Sequence, residues 1–525
     1  MKVSAVHVQP TNYDTVPYPS YTHPQTHPER LSVIGRLFGL DPAPVTRCRV
    51  LELGCGNGSN LVPMAWGLPD SEFIGVDLAA RPVAHGQQMI NDLRMTNVRL
   101  VHGNITEING DWGKFDYIIA HGLYSWVPAK VQEHLLALCR NSLSPQGIAF
   151  ASYNALPGCH LRNMLREMML FHVRGFDAPQ ERVNQALALV RFLAEAQDTQ
   201  DEYRLWMKAE LDRIVEHDEG HLYHDELAEL NEPLYFTQFM ERATRHGLQY
   251  VGDADYFEMS DHIFKPAVQQ TLERLAQSRI MREQYLDFLK CRRFRQTLLC
   301  HREVGLRTKP LAEQVAGFLV SSAAECTSGA ADVRPGVKCT FETPKGGRFE
   351  TDFALGKAAL AALGTAWPMS LPFDELLQHA MTGLEQAGVS AEGDGQSQER
   401  LCGFLLQLYG ATIVEFRSGQ PPFTCHVTDR PVASPVARWQ VQHGDFVTSL
   451  FHIAVKVEDE IGRCLLTSLD GTLDRKALLA KLWLLLKSRN ALVVPDGDEI
   501  ATRRNIEMEM EKNLEKLARL GLLVG

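Results

Sequence analysis

The chain has 525 residues, 45 % hydrophobic and 22 % charged, with a formal net charge of −11; that length implies roughly two to four domains, and the acidic balance excludes general attraction to nucleic acid, which needs a clustered cationic surface. No run of about 18 apolar residues offers a membrane span, and no basic-then-apolar start reads as a secretory leader, so cytoplasmic residence is expected. The 11 cysteines lack C-x-x-C pairing and the 19 histidines lack H-E-x-x-H spacing, which implies reduced thiols and no metal.

In chain order, the first feature is a leader from Tyr13 to Arg30, rich in proline and tyrosine and held extended by its prolines, leading into a helix over Pro28–Phe38. It either folds over a cofactor mouth as a lid, with Tyr13 and Tyr21 as contacts, or packs as an arm on another domain. The apolar strand Arg49–Leu53 carries Glu52 near its end and runs into Gly54-Cys55-Gly56-Asn57-Gly58. Such a turn brings bare backbone up to a ligand, because glycine reaches the needed φ values and has no Cβ. A dinucleotide fingerprint wants a third glycine where Ser59 stands, and an acid at position 52 suits a cationic amino group better than a pyrophosphate. Both points favour S-adenosyl-L-methionine over NAD. Cys55, inside the turn, reads as a small filler rather than a nucleophile.

A second strand, Glu72–Leu78, places Asp77 to accept from both ribose hydroxyls. A helix over 81–93, strands over 98–105 and 115–121, a helix over 130–143 and a strand over 147–153 complete an alternating βα pattern, which predicts a parallel sheet with right-handed crossovers. Ligands of such sheets sit at the carboxyl ends of the strands. Glu52, Asp77, Asn104 and His121 fall at those ends, and Leu78, Ile105 and Gly122 beside them complete the expected cofactor contacts with Gly54, Cys55, Gly56 and Gly58.

Beyond Gly158, apolar residues at helical spacing predict helices over 161–173, 179–196 and 202–217, then a helix over 235–246 and a strand over 248–251. The expectation is an insertion at 159–220, with 235–256 returning to complete the sheet; a separate helical middle domain competes with it. An inserted helical pair offers a homodimer surface. The basic run Lys290–Arg295 reads as a solvated helix face or an interdomain contact. A composition change over 329–337 marks a boundary, followed by a hairpin over 340–355 that breaks at Lys345-Gly346-Gly347 and helices over 357–363, 373–387 and 399–409. This succession resembles a winged-helix module, for which the acidic balance implies a structural or protein-binding role. Residues 393–397 read as a mobile loop, and 503–520 as a core-packing amphipathic helix.

Through Leu51–Gly58, Gly75-Val76-Asp77, Gly103-Asn104-Ile105 and Phe115–Ile119 the chain resembles class I S-adenosylmethionine-dependent methyltransferases. Tyr13-Asp14, Pro17-Tyr18, Thr26–Leu31, His121–Pro128, Ser152–Gly158, His224–Leu227 and Asn231–Phe236 are similar to bacterial members with a methyltransferase regulatory domain, among them the rickettsial protein lysine methyltransferases. The resemblance implies an α/β fold: a Rossmann-like sheet domain with a helical insertion, plus a mostly helical C-terminal region with a winged-helix-like module. The boundaries that follow are an arm at 1–40, a cofactor-binding core at 41–158, the insertion at 159–220, a regulatory segment at 221–305 and accessory domains at 306–525.

The implied reaction is methyl transfer to an acceptor amine, with protein lysine as the leading substrate. A small-molecule or sugar methyltransferase, and a non-catalytic cofactor sensor or scaffold, stand as alternatives. Asn104 replaces the acid that many relatives use toward adenine, and the Asn/Asp-Pro-Pro-aromatic motif of amino methyltransferases acting on nucleobases is absent after the fourth strand. For a lysine acceptor, Tyr124 and Trp126 are the expected walls of the amine channel, attracting the cation through their ring faces. His121 is expected to contact the cofactor or relay a proton.

Overall fold

The computed structural model describes residues 11–108, 110–196, 202–215, 218–390, 394–489 and 498–524. Seven strands form the central sheet: β1 (Arg49–Leu53), β2 (Glu72–Asp77), β3 (Val98–His102), β4 (Phe115–Ala120), β5 (Leu143–Asn154), β6 (Leu248–Asp253) and β7 (Phe294–His301). Their order is β3-β2-β1-β4-β5-β7-β6, parallel from β3 through β5 and antiparallel where β7 joins β5 and β6. Most residues of β1, β2 and β4 are buried, as expected of parallel strands covered on both faces by helices. Strand order reverses between β1 and β4, so the carboxyl ends of these two strands frame the crevice where such folds bind ligands. The helix Ala80–Asp92 packs directly on the glycine turn, since a Cβ on Gly86 would collide with the Asn57 carbonyl.

The returning segment does complete the sheet, but through two strands, with β7 inserted between β5 and β6. The basic run is not a solvated helix face: Arg292 and Arg295 are buried, while Arg293 makes a contact between regions of the kind expected, pairing with Glu210 of the helix Glu202–Val215. Lys290 ends the helix Arg279–Lys290, the chain turns through Cys291 in a left-handed conformation, and Arg292 and Arg295 enter the core at the start of β7. Arg295 meets Asp253 at 3.1 Å, Asp287 at 2.9 Å and Glu283 at 3.0 Å, while Arg292 meets Asp253 at 2.9 Å. Buried guanidinium groups are tolerated there because carboxylates from β6 and the preceding helix satisfy them.

The helices Cys159–Val173, Pro179–Glu195 and Glu202–Val215 bury Leu165, Met169, Val183, Val190, Leu211 and Ile214 in a small core apart from the sheet, which Leu222 and Leu227 also join. Residues 216 and 217 of the expected third helix lie outside the described residues. Further on, Cys339–Glu342 and Arg348–Thr351 form the expected hairpin, followed by helices Ala354–Ala366, Phe373–Gln386 and Asp394–Gly410. Residue 393 of the expected loop is outside the described residues, and 394–397 belong to the last of these helices.

The winged-helix expectation for 340–409 is corrected. Those helices share one continuous core with the seven-stranded sheet, whereas a separate core spans Ala433 to Leu523. That core combines helices Pro435–His443, Glu460–Ser468, Arg475–Ser488 and Glu499–Arg519 with a hairpin of Phe446–Thr448 and Ala454–Lys456. Among the described residues no helix is long and apolar enough to cross a membrane, and no group of three or more His, Cys, Asp or Glu is placed to hold a metal ion.

Candidate functional site

Glu52 is 3 % exposed near the end of β1. Its Oε1 accepts a 2.6 Å bond from Asn60 Nδ2, while Oε2 is buried without a partner. Burial pushes its pKa up to about 8, with the Asn60 bond opposing and the Asp77 charge reinforcing the rise. A buried carboxylate left half-satisfied is costly, and a ligand cation is what would relieve it. Next to it, Gly54, Gly56 and Gly58 all have positive φ, at 74°, 53° and 74°, the left-handed region in which only glycine is at ease. Gly54 and Cys55 donate their N–H groups to the Val76 carbonyl, tying the turn to β2.

Asp77 is held from both sides: Oδ2 accepts from Gly56 N and Oδ1 from Ala79 N, each at 2.8 Å. Burial raises its pKa, and these two backbone donors oppose the rise. One lone pair on each oxygen is left to face a diol. Leu78 beside it is exposed. Asn104 caps a short turn, its Oδ1 accepting from the Thr106 N–H and hydroxyl, so that the amide NH2 is the group left for an adenine ring; Ile105 is half-buried next to it. Cys55 is buried, and desolvation holds its thiol well above the ordinary value, in keeping with a filler role. Gly122, at φ 62°, donates its N–H to Ser152 Oγ at 2.7 Å.

Over these strand ends lies the leader. Asp14 accepts from the Arg81 N–H at 2.9 Å, and His23 N donates to Asn60 Oδ1 at 2.9 Å, so the chain between them spans the mouth from the second strand end to the first. Its outer side is gripped by the regulatory segment. Tyr13 stacks on His224 with ring centroids 4.0 Å apart, the His224 ring meets the Val16 carbonyl at 2.8 Å, and Tyr18 donates to Asp225. Tyr21 reaches Asp218 at 3.5 Å and packs edge-on against Phe446 of the C-terminal hairpin. The leader thus both covers the mouth and packs on other parts of the chain.

His121 stacks on His23 at 3.8 Å between ring centroids. Burial drives both pKa values down, His23 to about 4 and His121 well below its ordinary value, so both rings are neutral near pH 7. Trp126 lies under the Arg162 guanidinium, which pairs with Glu226 and Asp225; it therefore joins the cluster formed by the leader and the regulatory segment. Tyr124 does not. Its side chain is fully buried between Tyr153 and Phe239, facing away from the mouth. The short helical turn Tyr124–Trp126 sends successive side chains in different directions, and the first of them fills the core under helix Phe236–Arg245.

Sequence reasoning missed Asn60, His23, Tyr18, His224, Asp225 and Arg162 as parts of this site. Asn60 carried a signal, a buried amide directly after a glycine turn; the others are joined only by contacts across long stretches of chain. The orphaned Glu52 oxygen, the positive-φ glycine turn and the paired acceptor at Asp77 fit S-adenosylmethionine, whose amino group, backbone and ribose they match in turn. Bound there, the cofactor supplies a methyl group already activated on sulfonium.

Three family models match: methyltransferase domain over 50–147, predicted methyltransferase regulatory domain over 218–301, and PKMT C-terminal winged helix domain over 429–522. The last coincides with the separate C-terminal core. The uncharacterized protein RP789 of Rickettsia prowazekii (strain Madrid E) is 30 % identical over 525 residues, covering 98 % of this chain and 93 % of that one. The solved structure of PKMT2 from Rickettsia typhi superposes with a TM-score of 0.86 at 27 % identity, over 97 % of this chain and all of the other; its complex with AdoHcy gives 0.85 at 28 %. The chain belongs to the family of class I S-adenosylmethionine-dependent methyltransferases that join a methyltransferase regulatory domain to a C-terminal winged helix domain.

Proposed function

We propose that this methyltransferase modifies the side-chain amine of lysines in a protein acceptor. The observation that carries the reading is the roof of the mouth, where Tyr13 stacks on His224 and His23 stacks on His121, bringing aromatic faces and imidazoles neutral near pH 7 together over the strand ends, with Trp126 nearby under Arg162. A lysine amine, with an ordinary pKa of about 10.4, must shed its proton before its lone pair can attack, and a low-polarity approach favours the neutral form. Whole-length likeness to PKMT2 and the PKMT winged helix match support the same acceptor class.

In this reading Glu52 accepts from the cofactor's amino group, Asp77 from its ribose and Asn104 Nδ2 donates to its adenine. Gly54, Cys55, Gly56, Gly58, Leu78, Ile105 and Gly122 shape the walls. The leader excludes water and aligns nucleophile with methyl carbon, which is most of what this chemistry asks of a protein. Trp126 lines the amine approach, His121 orients the amine through its neutral ring, and Tyr124 supports them from the core.

The division into an arm (1–40), core (41–158), insertion (159–220), regulatory segment (221–305) and accessory region (306–525) is part of the proposal; the inserted helices supply most of one small core, which Leu222 and Leu227 of the regulatory segment join. Exposed Phe171, Phe192 and Leu205 on those helices support homodimer formation, and the 11 free cysteines support a reducing, cytoplasmic setting. Incubating extract proteins with a trideuteromethyl donor, followed by mass spectrometry, tests the acceptor. Labelled lysine in protein is the expected result; label confined to the small-molecule fraction would replace this reading with a metabolite or sugar acceptor.

A further inference from the structure

Asn60 links the cofactor carboxylate to the C-terminal half of the chain. Its Nδ2 donates to Glu52 Oε1 at 2.6 Å and to Thr26 Oγ1 at 3.0 Å, and its Oδ1 receives the His23 backbone N–H at 2.9 Å. A backbone N–H can only donate, so the amide orientation is unambiguous. On the same Oδ1, at 2.9 Å, sits Nε2 of His452, from 392 residues away in sequence. That contact requires His452 to carry its proton on Nε2.

His452 occupies the turn of the winged-helix hairpin, between Phe446–Thr448 and Ala454–Lys456. It adopts a left-handed backbone at φ 58°, uncommon outside glycine, with its N–H bonded to the Ser449 carbonyl and Ser449 N–H bonded to the Ile453 carbonyl. The ring is buried, with His27 5.2 Å away between ring centroids. A strained turn holding a buried imidazole on the one amide that orients Glu52 is an arrangement that neither hairpin packing nor the glycine turn requires by itself.

We propose that His452 is a positioning residue for the cofactor site: donating to Asn60, it holds the amide that holds Glu52, so docking of the winged helix domain and binding of the cofactor favour each other. The proposal rests on Glu52 being the acceptor for the cofactor's amino group. Coupling of this kind is reciprocal, so the cofactor must in turn tighten the hairpin against the core.

Calorimetric titration with S-adenosylhomocysteine tests it. His452→Ala is expected to raise Kd about fivefold to tenfold, the range for one lost hydrogen bond to an already ordered amide, and to raise KM for the donor with kcat little changed. His452→Gln, whose amide N–H can replace Nε2–H, is expected to return Kd to within about threefold. Combined with Glu52→Gln, His452→Ala should add almost nothing, because the two act through one chain of bonds. Wild-type affinity in His452→Ala beside a weakened Glu52→Gln would overturn the relay alone; an unweakened Glu52→Gln would overturn the reading of Glu52 and the relay with it. Should the His452 variants fail to fold, hydrogen exchange on the unaltered protein decides: S-adenosylhomocysteine must slow exchange across residues 449–453, and unchanged exchange there overturns the proposal.

Discussion

Replacing Glu52 by glutamine separates its charge from its shape. With its pKa pushed up to about 8 by burial, Glu52 in the ligand-free protein is about nine-tenths protonated at pH 7, and raising it from an ordinary value near 4.5 corresponds to about 5 kcal/mol against the ionised form. The sign follows from the raised value: stability from this group is full below pH 4.5 and is lost as pH rises through about 8, so ligand-free protein weakens relative to Glu52→Gln toward alkaline pH. Binding a cofactor ammonium needs the carboxylate, so binding near pH 7 must release close to one proton. Affinity for S-adenosylhomocysteine should rise by roughly eightfold to ninefold between about pH 6 and 7, more slowly above that, and level beyond about pH 8, where Glu52 is half ionised. Glutamine preserves the acceptor for Asn60 but turns an N–H toward the ammonium. Glu52→Gln should weaken binding about 10- to 100-fold at pH 8, as expected for a charge-assisted bond worth about 1.5–3 kcal/mol, and flatten the pH dependence. Calorimetry in two buffers of different ionisation enthalpy counts the proton. No proton release at pH 7 in the wild type, or an undiminished slope in Glu52→Gln, would refute the reasoning.

Asp77→Ala removes the partner of the Gly56 and Ala79 N–H groups as well as the ribose acceptor; Kd for S-adenosylhomocysteine should rise at least about 50-fold, with faster hydrogen exchange at Gly56. Tyr124→Phe should change kcat/KM by less than about twofold because the ring is buried away from the mouth, whereas Tyr124→Ala should cost about 3–5 kcal/mol in urea denaturation; a large catalytic loss in the phenylalanine variant would return Tyr124 to the site. Asp287→Ala removes one carboxylate shared by Arg295 and Arg292 and leaves Asp253 and Glu283 to hold them, so about 1.5–3 kcal/mol should disappear from local protection of β7, read by hydrogen exchange. With His23 held at about 4 and His121 held well below its ordinary value by burial, the pH profile of kcat/KM should show no imidazole step between about pH 5.5 and 7 that His121→Phe abolishes.

The glycine turn, Glu52 and Asp77 were legible from residues alone, because a strand followed by glycines and an acid at a strand end are local statements about φ values and desolvation. The hairpin at 339–351 was readable for the same reason. The basic run at 290–295 was not: charge density in sequence says nothing of the carboxylates at 253, 283 and 287 that take those guanidinium groups inside. The winged helix was misplaced because short helices after a hairpin look alike whether they build a core of their own or join an existing one.

By itself the sequence determined the parallel half of the sheet and the backbone cradle at its switch point, since periodicity and glycine content act within a few residues of one another. Only the tertiary structure decided that Tyr124 fills the core while Trp126 lies under Arg162, which strand separates β5 from β6, and that residues 14–23 cross the strand ends while His452 reaches Glu52 through Asn60. Those outcomes depend on partners hundreds of residues apart, whose meeting is set by how whole faces bury against each other rather than by any local preference.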